Sequence, residues 1–182
     1  MVYKFRLLSD EKENFARDFE VRSNQTFYDL HQVIQKNLHY DQSQVASFFI
    51  CNDQWEKEQE ITLFDLSDES LYNPIAMGNA IFSDHITGLK QKLLYVFDFF
   101  NERAFFIEVV DIQKETPGKT YPVCTLSRGS PPEQIIMDQI YNEGDPLRDI
   151  INSDIETSED ESFFSDSGFN DLFSGDQESD EE

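Results

Sequence analysis

Cysteine, glycine, histidine and positive charge are scarce in this chain, and each shortage excludes something. There are two cysteines, Cys51 and Cys124, among 182 residues. They have no metal-ligand spacing and make no disulfide framework, which points to a reducing, intracellular setting. The seven glycines are dispersed, so no Gly-rich loop is present to cradle a phosphate. The three histidines, His31, His39 and His85, form neither H-x-H nor H-E-x-x-H, so a dedicated zinc or haem site has no support and no cofactor is expected. No apolar run approaches membrane-spanning length. Lys4 and Arg6 interrupt the region where a signal peptide would carry its apolar core. The expectation is a soluble cytoplasmic protein.

Fourteen Lys and Arg face 37 Asp and Glu, a net charge of −23. The last 31 residues, Asn152 to Glu182, hold 12 of the acids and none of the bases; residues 1–151 keep 25 acids against 14 bases, a net −11. Such a field repels phosphate backbones, which argues against direct nucleic-acid binding and favours a basic protein partner.

Against these shortages stands an abundance of phenylalanine, 17 residues. The stretch Leu93 to Ile112 alternates apolar and aromatic residues on both sides of the polar Asn101-Glu102-Arg103, the pattern of a β-hairpin covered on both faces. Asp98, a lone charge in this run, is expected to bind the turn or face solvent. Val2 to Leu8 and Phe15 to Val21 read as two antiparallel strands, and Ala46 to Cys51 as a third. Glu60 to Leu66 reads as strand or short helix. Thr26 is a good helix N-cap, and Asp29 makes an imperfect capping box with it. Phe27, Leu30, Ile34 and Leu38 follow at helical spacing, with His31 one position off that stripe. A single helical turn is expected within Pro74 to Ala80, and another, capped by Ser83-Asp84, over His85 to Leu89. Thr116-Pro117-Gly118-Lys119 is a turn, and Pro131-Pro132-Glu133 opens a second helix running to Tyr141. These elements predict an α+β fold: a curved, mostly antiparallel sheet with a central hairpin, packed by two or more helices. Residues 1–145 form that domain, and residues 146–182 form an acidic, disordered tail, its apolar content too low to offset the ordering entropy.

Three blocks carry a family resemblance: TFYDLHQVIQKNLHYDQSQVASFFI from Thr26, LLYVFDF from Leu93, and YPVCTLSRGSPPEQ from Tyr121. Together they resemble the plasmid pRi ORF-3-like family, also called insertion-element passenger-like. Its members show an F-x-D-L-H-x-x-I-Q helix, a Y-D-F-G-D hairpin and a P-x-C-x-x-G-x-x-x-P-P-E segment. Here Phe27, Asp29, Leu30, His31, Ile34 and Gln35 match the first, Asp98 and Phe99 the second, and Pro122, Cys124, Pro131, Pro132 and Glu133 the third. The resemblance implies an α+β fold and no particular activity. The chain departs from the pattern where Gly-Asp becomes Phe100-Asn101, where Trp and His become Arg103 and Phe105, and where a His after the first helix is Gln44. Any chemistry of those polar groups is therefore expected to be lost.

The leading expectation is a non-enzymatic protein-interaction module. Phe163, Phe164, Phe169, Leu172 and Phe173 lie among the tail's carboxylates and read as docking anchors, with the acids steering a basic partner. Ser158, followed by Glu-Asp-Glu, suits an acid-directed kinase. Two alternatives stand beside this. One is an enzyme or small-molecule binder of the hairpin region, with His31, Asp98 and Cys124 as pocket candidates. A nucleophilic Cys124 would need a neighbouring base and a lowered pKa, whereas Cys51 reads as core. The other alternative is an acidic nucleic-acid mimic, whose binding to a DNA-binding protein would be strongly salt-dependent.

Overall fold

The computed structural model describes residues 1–64 and 74–135. An open sheet of eight strands runs in the order β5-β4-β3-β6-β7-β1-β2-β8. β1 (Val2–Leu8) and β2 (Ala16–Arg22) pair antiparallel, with Phe5 opposite Phe19. β3 (Ser47–Cys51) lies between β4 (Lys57–Thr62) and β6 (Lys92–Asp98), and β6 pairs with β7 (Arg103–Gln113). This β6–β7 hairpin holds the middle of the sheet, as its two-sided apolar pattern predicted. β5 (Ile75–Ala76) adds a parallel edge and β8 (Val123–Arg128) closes the far side on β2.

α1 (Phe27–Leu38) packs on one face of the sheet. Its start is fixed locally. Thr26 Oγ1 accepts from Asp29 N at 3.3 Å while Asp29 Oδ2 accepts from Thr26 N at 2.8 Å, so the capping box is complete. The helix ends at His39, in the left-handed region at φ 58°. Register puts Phe5, Phe19, Phe48, Tyr95, Phe105, Ile107 and Val109 on one sheet face, beneath Phe27, Leu30 and Ile34. Phe27 meets Phe48 edge-on at 5.3 Å and Phe82 at 4.4 Å, so aromatic packing ties the helix start to β3 and to the short helix α2 (Phe82–His85). Among the described residues no helix is long and apolar enough to cross a membrane.

Several segments differ from expectation, each because a distant partner decides it. β4 begins at Lys57, earlier than Glu60, because its pairing with β3 starts opposite Cys51. The short helix α2 (Phe82–His85) starts three residues before His85. Phe82 is buried against Phe5 and Phe27, and its amide bonds the Gln25 carbonyl at 3.0 Å. The turn after β5 closes through Ala80 N to Ala76 O at 3.1 Å, within the span expected to hold one. The helix predicted from Pro132 is absent over Pro132 to Ile135. There the Glu133 and Gln134 carbonyls accept from Arg103 of the hairpin. The rest of that segment, and the tail with Phe163, Phe164, Phe169, Leu172 and Phe173, lie outside the described residues.

Candidate functional site

Two positions four residues apart on α1 face the same way, and this brings His31 and Gln35 onto one phenol. Tyr95, in the middle of β6, accepts from Gln35 Nε2 at 2.7 Å and lies 2.8 Å from His31 Nδ1. Burial pushes His31 down to about 4, so the imidazole is neutral. With Gln35 donating to the phenol oxygen, the hydroxyl proton is assigned to His31 Nδ1 and the imidazole proton to Nε2. Gln35 Oε1 is buried and no donor among the described residues reaches it. Flipping the amide would orphan its two-proton nitrogen instead, so this orientation is the less costly one. Burial also raises the Tyr95 phenol, which makes it a poor proton donor. The arrangement holds α1 on β6 and offers no acid–base pair near neutral pH.

Asp98 ends β6 and organises the turn that follows. Its Oδ1 accepts from Phe100 N and Asn101 N, both at 3.1 Å, and its Oδ2 accepts from Asn101 Nδ2 at 2.8 Å and from Arg103 at 3.4 Å. Burial favours its neutral form, yet the bonds from Asn101 and Arg103 outweigh that and hold the carboxyl below its ordinary value. Arg103 spends all five N–H groups. Two go to Glu11, both at 2.9 Å, one to Asp98, one to the Gln134 carbonyl at 3.2 Å and one to the Glu133 carbonyl at 2.6 Å. The guanidinium also sits 4.9 Å above the Phe97 ring. Beside it Tyr40 donates to the Pro132 carbonyl at 2.7 Å, and the Gln134 amide exchanges two bonds with the Asp41 backbone at 2.6 and 3.0 Å. The end of α1, the hairpin and the Pro-Pro-Glu-Gln segment thus meet at one junction.

Cys124 lies on β8, opposite Phe19 on the helix side of the sheet, with its thiol donating to the Leu126 carbonyl at 3.1 Å. Burial raises its pKa, and the nearby Arg17 opposes this without reversing it. Arg17 is buried without a carboxylate partner among the described residues. Asn37 Oδ1 accepts from it at 2.8 Å, and the Ala16, Arg128 and Gly129 carbonyls accept three further bonds. No imidazole bonds either thiol among the described residues. Cys51 is buried at the end of β3, and burial raises it too.

The structure does not gather His31, Asp98 and Cys124 into one pocket. His31 lies beneath α1, Asp98 in the hairpin turn, and Cys124 on a strand four places from β6, about 19 Å along a sheet at ~4.8 Å per strand. A different hollow exists that sequence reading did not assemble. A cleft of about 410 Å³ opens between the end of β3, the start of β4 and the α2–β6 connection. Cys51, Glu58, Asp84, His85, Lys90 and Gln91 line it, and Gln91 braces its wall by accepting from Thr87 N at 2.6 Å and donating to the His85 carbonyl at 2.8 Å. The pairings of β3 with β4 and with β6 bring these residues together, and no local spacing signals it. Among the described residues no group of three or more His, Cys, Asp and Glu is placed to hold a metal ion.

The fold has a solved counterpart. A protein of unknown function from Methanosarcina mazei Go1, MM3350, is similar at a TM-score of 0.57 and 23% identity, over 69% of this chain and 68% of that one. At that identity the likeness concerns the fold alone. No curated protein matches the chain. The family model described as plasmid pRiA4b ORF-3-like protein matches residues 2–163, which takes in the helix, the hairpin and the Pro-Pro-Glu segment that meet at Arg103. The chain therefore belongs to the plasmid pRiA4b ORF-3-like protein family.

Proposed function

We propose that this protein is a non-enzymatic, cytoplasmic protein-interaction module. Its sheet-and-helix body is the scaffold, and its acidic, aromatic tail is the docking segment for a basic partner. One observation carries this reading: each side chain nominated for chemistry is already engaged in holding the fold. His31 binds Tyr95, Asp98 binds its own turn, and the Cys124 thiol binds a strand carbonyl. The 12 acidic side chains from Asn152 to Glu182, with Phe163, Phe164, Phe169, Leu172 and Phe173 among them, then supply steering and anchoring. The test compares the full chain with one ending at Ile151 in affinity capture. A basic partner lost on truncation, and lost again when Phe163, Phe164, Phe169, Leu172 and Phe173 are changed to Ala, supports the tail. A partner kept by both chains moves the interaction to the body and refutes the tail as docking segment.

The cleft beside His85 favours a second reading, a small-molecule binder. Its volume of about 410 Å³ falls in the range of small-ligand sites, but its lining is more polar than most. A ligand screen by thermal shift, with Lys90→Ala and His85→Ala as controls, separates this from the first reading.

A further inference from the structure

The turn joining β6 to β7 carries two adjacent phenylalanines in water. Phe100 is 80% exposed and Phe99 46%. A single exposed apolar side chain needs no explanation. Here two sit side by side on a turn that is fixed from within. Asp98 takes the amide protons of Phe100 and Asn101, Asn101 and Arg103 return bonds to the same carboxylate, and Arg103 is itself clamped by Glu11. The rings are therefore displayed on a preorganised backbone, and a partner need not supply the entropy of ordering it. Phe100 also stands where the resemblance set out above has glycine, so the exposed ring is a feature of this chain and not a demand of the turn.

The surroundings select the occupant. Glu11 bonds Arg103, so the β1–β2 connection lies at the same end of the sheet as this turn. The two loops carry five carboxylates, Asp10, Glu11, Glu13, Asp98 and Glu102, against two cations, Lys12 and Arg103. An anionic membrane surface would be repelled, and a second copy would present the same sign to itself. The geometry points to a docking knob: Phe99 and Phe100 enter an apolar pocket on a protein partner whose rim carries Lys and Arg. This surface belongs to the body and stands independently of the tail.

The test places a photo-crosslinking benzoylphenylalanine at position 100, in the full chain and in the chain ending at Ile151, expressed in the native host. The same probe at Phe64, also exposed but outside the tip, is the control. The expected product is one protein adduct formed by both chains and absent from the Phe64 control, whose crosslinked peptide holds apolar residues flanked by Lys or Arg. Phe99→Ser is expected to cut its yield by about tenfold or more, and Glu102→Lys to cut it several-fold. Raising salt from about 50 mM to about 500 mM is expected to weaken it as well. Both substitutions are at the surface, and unchanged thermal melts establish that the body stays folded. A lipid adduct, an adduct between two copies, or a yield no greater than that of the control overturns the proposal. So does a protein adduct indifferent to salt, Glu102→Lys and Phe99→Ser. An adduct formed only by the full chain overturns the knob while leaving the tail reading in place.

Discussion

Two substitutions at one buried network should move stability in opposite directions. Tyr95→Phe removes a hydroxyl that serves two groups at once, Gln35 Nε2 at 2.7 Å and His31 Nδ1 at 2.8 Å. Ring packing against Phe48 at 4.7 Å is preserved, so the loss is one of polar satisfaction. Leaving two buried groups unpaired, at roughly 1–3 kcal/mol each, predicts a cost of about 3 kcal/mol. Gln35→Met does the reverse. It keeps length and volume, leaves Tyr95 donating to His31, and deletes the buried Oε1 that no donor among the described residues reaches. Stability should hold or rise by about 1 kcal/mol. In the Gln35→Met background Tyr95→Phe orphans only His31, so its cost should fall to about half, a coupling that a double-mutant cycle reads directly. Urea unfolding followed by the fluorescence of the single tryptophan, Trp55, and by far-UV circular dichroism measures all four proteins, with equal slopes required for comparison. A loss of about 2 kcal/mol or more for Gln35→Met would refute the reasoning, since it would mean that Oε1 has a partner, such as an ordered water, worth keeping. A cost under about 1 kcal/mol for Tyr95→Phe would refute it from the other side.

The same network predicts a pH dependence. Folding lowers His31 from 6.5 to about 4, so the unfolded chain binds the proton first. The stability tied to the neutral imidazole is complete above pH 6.5 and is lost as pH falls towards 4, by about 3 kcal/mol at ~1.4 kcal/mol per pH unit. His31→Gln should flatten that window in stability measured against pH; an unchanged slope would remove His31 as its cause. Arg103→Met deletes all five bonds together with the cation over the Phe97 ring. It should cost about 2–3 kcal/mol and speed proteolytic cleavage across 131–135, whereas unaltered cleavage there would show that the junction does not hold the segment. Gly129→Ala places a methyl 2.5 Å from the Asn14 carbonyl oxygen at φ +68°. A cost of about 2 kcal/mol or more follows, and calorimetry showing less than about 0.5 kcal/mol would contradict the close approach.

What the sequence made legible was what short range decides. Thr26, Asp29 and the stripe Phe27, Leu30, Ile34 and Leu38 lie within 13 residues, so the helix and its cap could be read directly. The hairpin was equally plain, because its alternation is local and Asp98 precedes the turn it binds. What escaped was decided at distance. Pro131-Pro132-Glu133 carries a helix-start signal, yet over the described residues Pro132 to Ile135 no helix forms, and the guanidinium of Arg103, brought there by the β6–β7 pairing, bonds the carbonyls of Glu133 and Gln134. β8 has no strong alternation, and it exists because β2 offers it an edge, braced where Arg17 reaches the Arg128 and Gly129 carbonyls.

That contrast bears on how the motifs of this family should be read. The helix motif ends next to Tyr40 and Asp41, the hairpin motif contains Asp98, and the third motif closes on Pro132, Glu133 and Gln134. All three arrive at the Arg103 junction. In this chain their polar groups are spent on one another and on backbone carbonyls, with Arg103 standing where the resemblance leads one to expect Trp. Motif residues that converge in space usually invite a search for catalysis. Here the convergence has a sufficient mechanical cause, since it locks the segment from Gly129 to Gln134 across the end of the helix and the base of the hairpin turn. The groups left unspent at that end, among the described residues, are the Phe99 ring, the Phe100 ring, which stands where the hairpin motif has glycine, and the carboxylates of Asp10, Glu13 and Glu102 around them. Recognition specific to this chain is therefore to be sought where it departs from the family pattern.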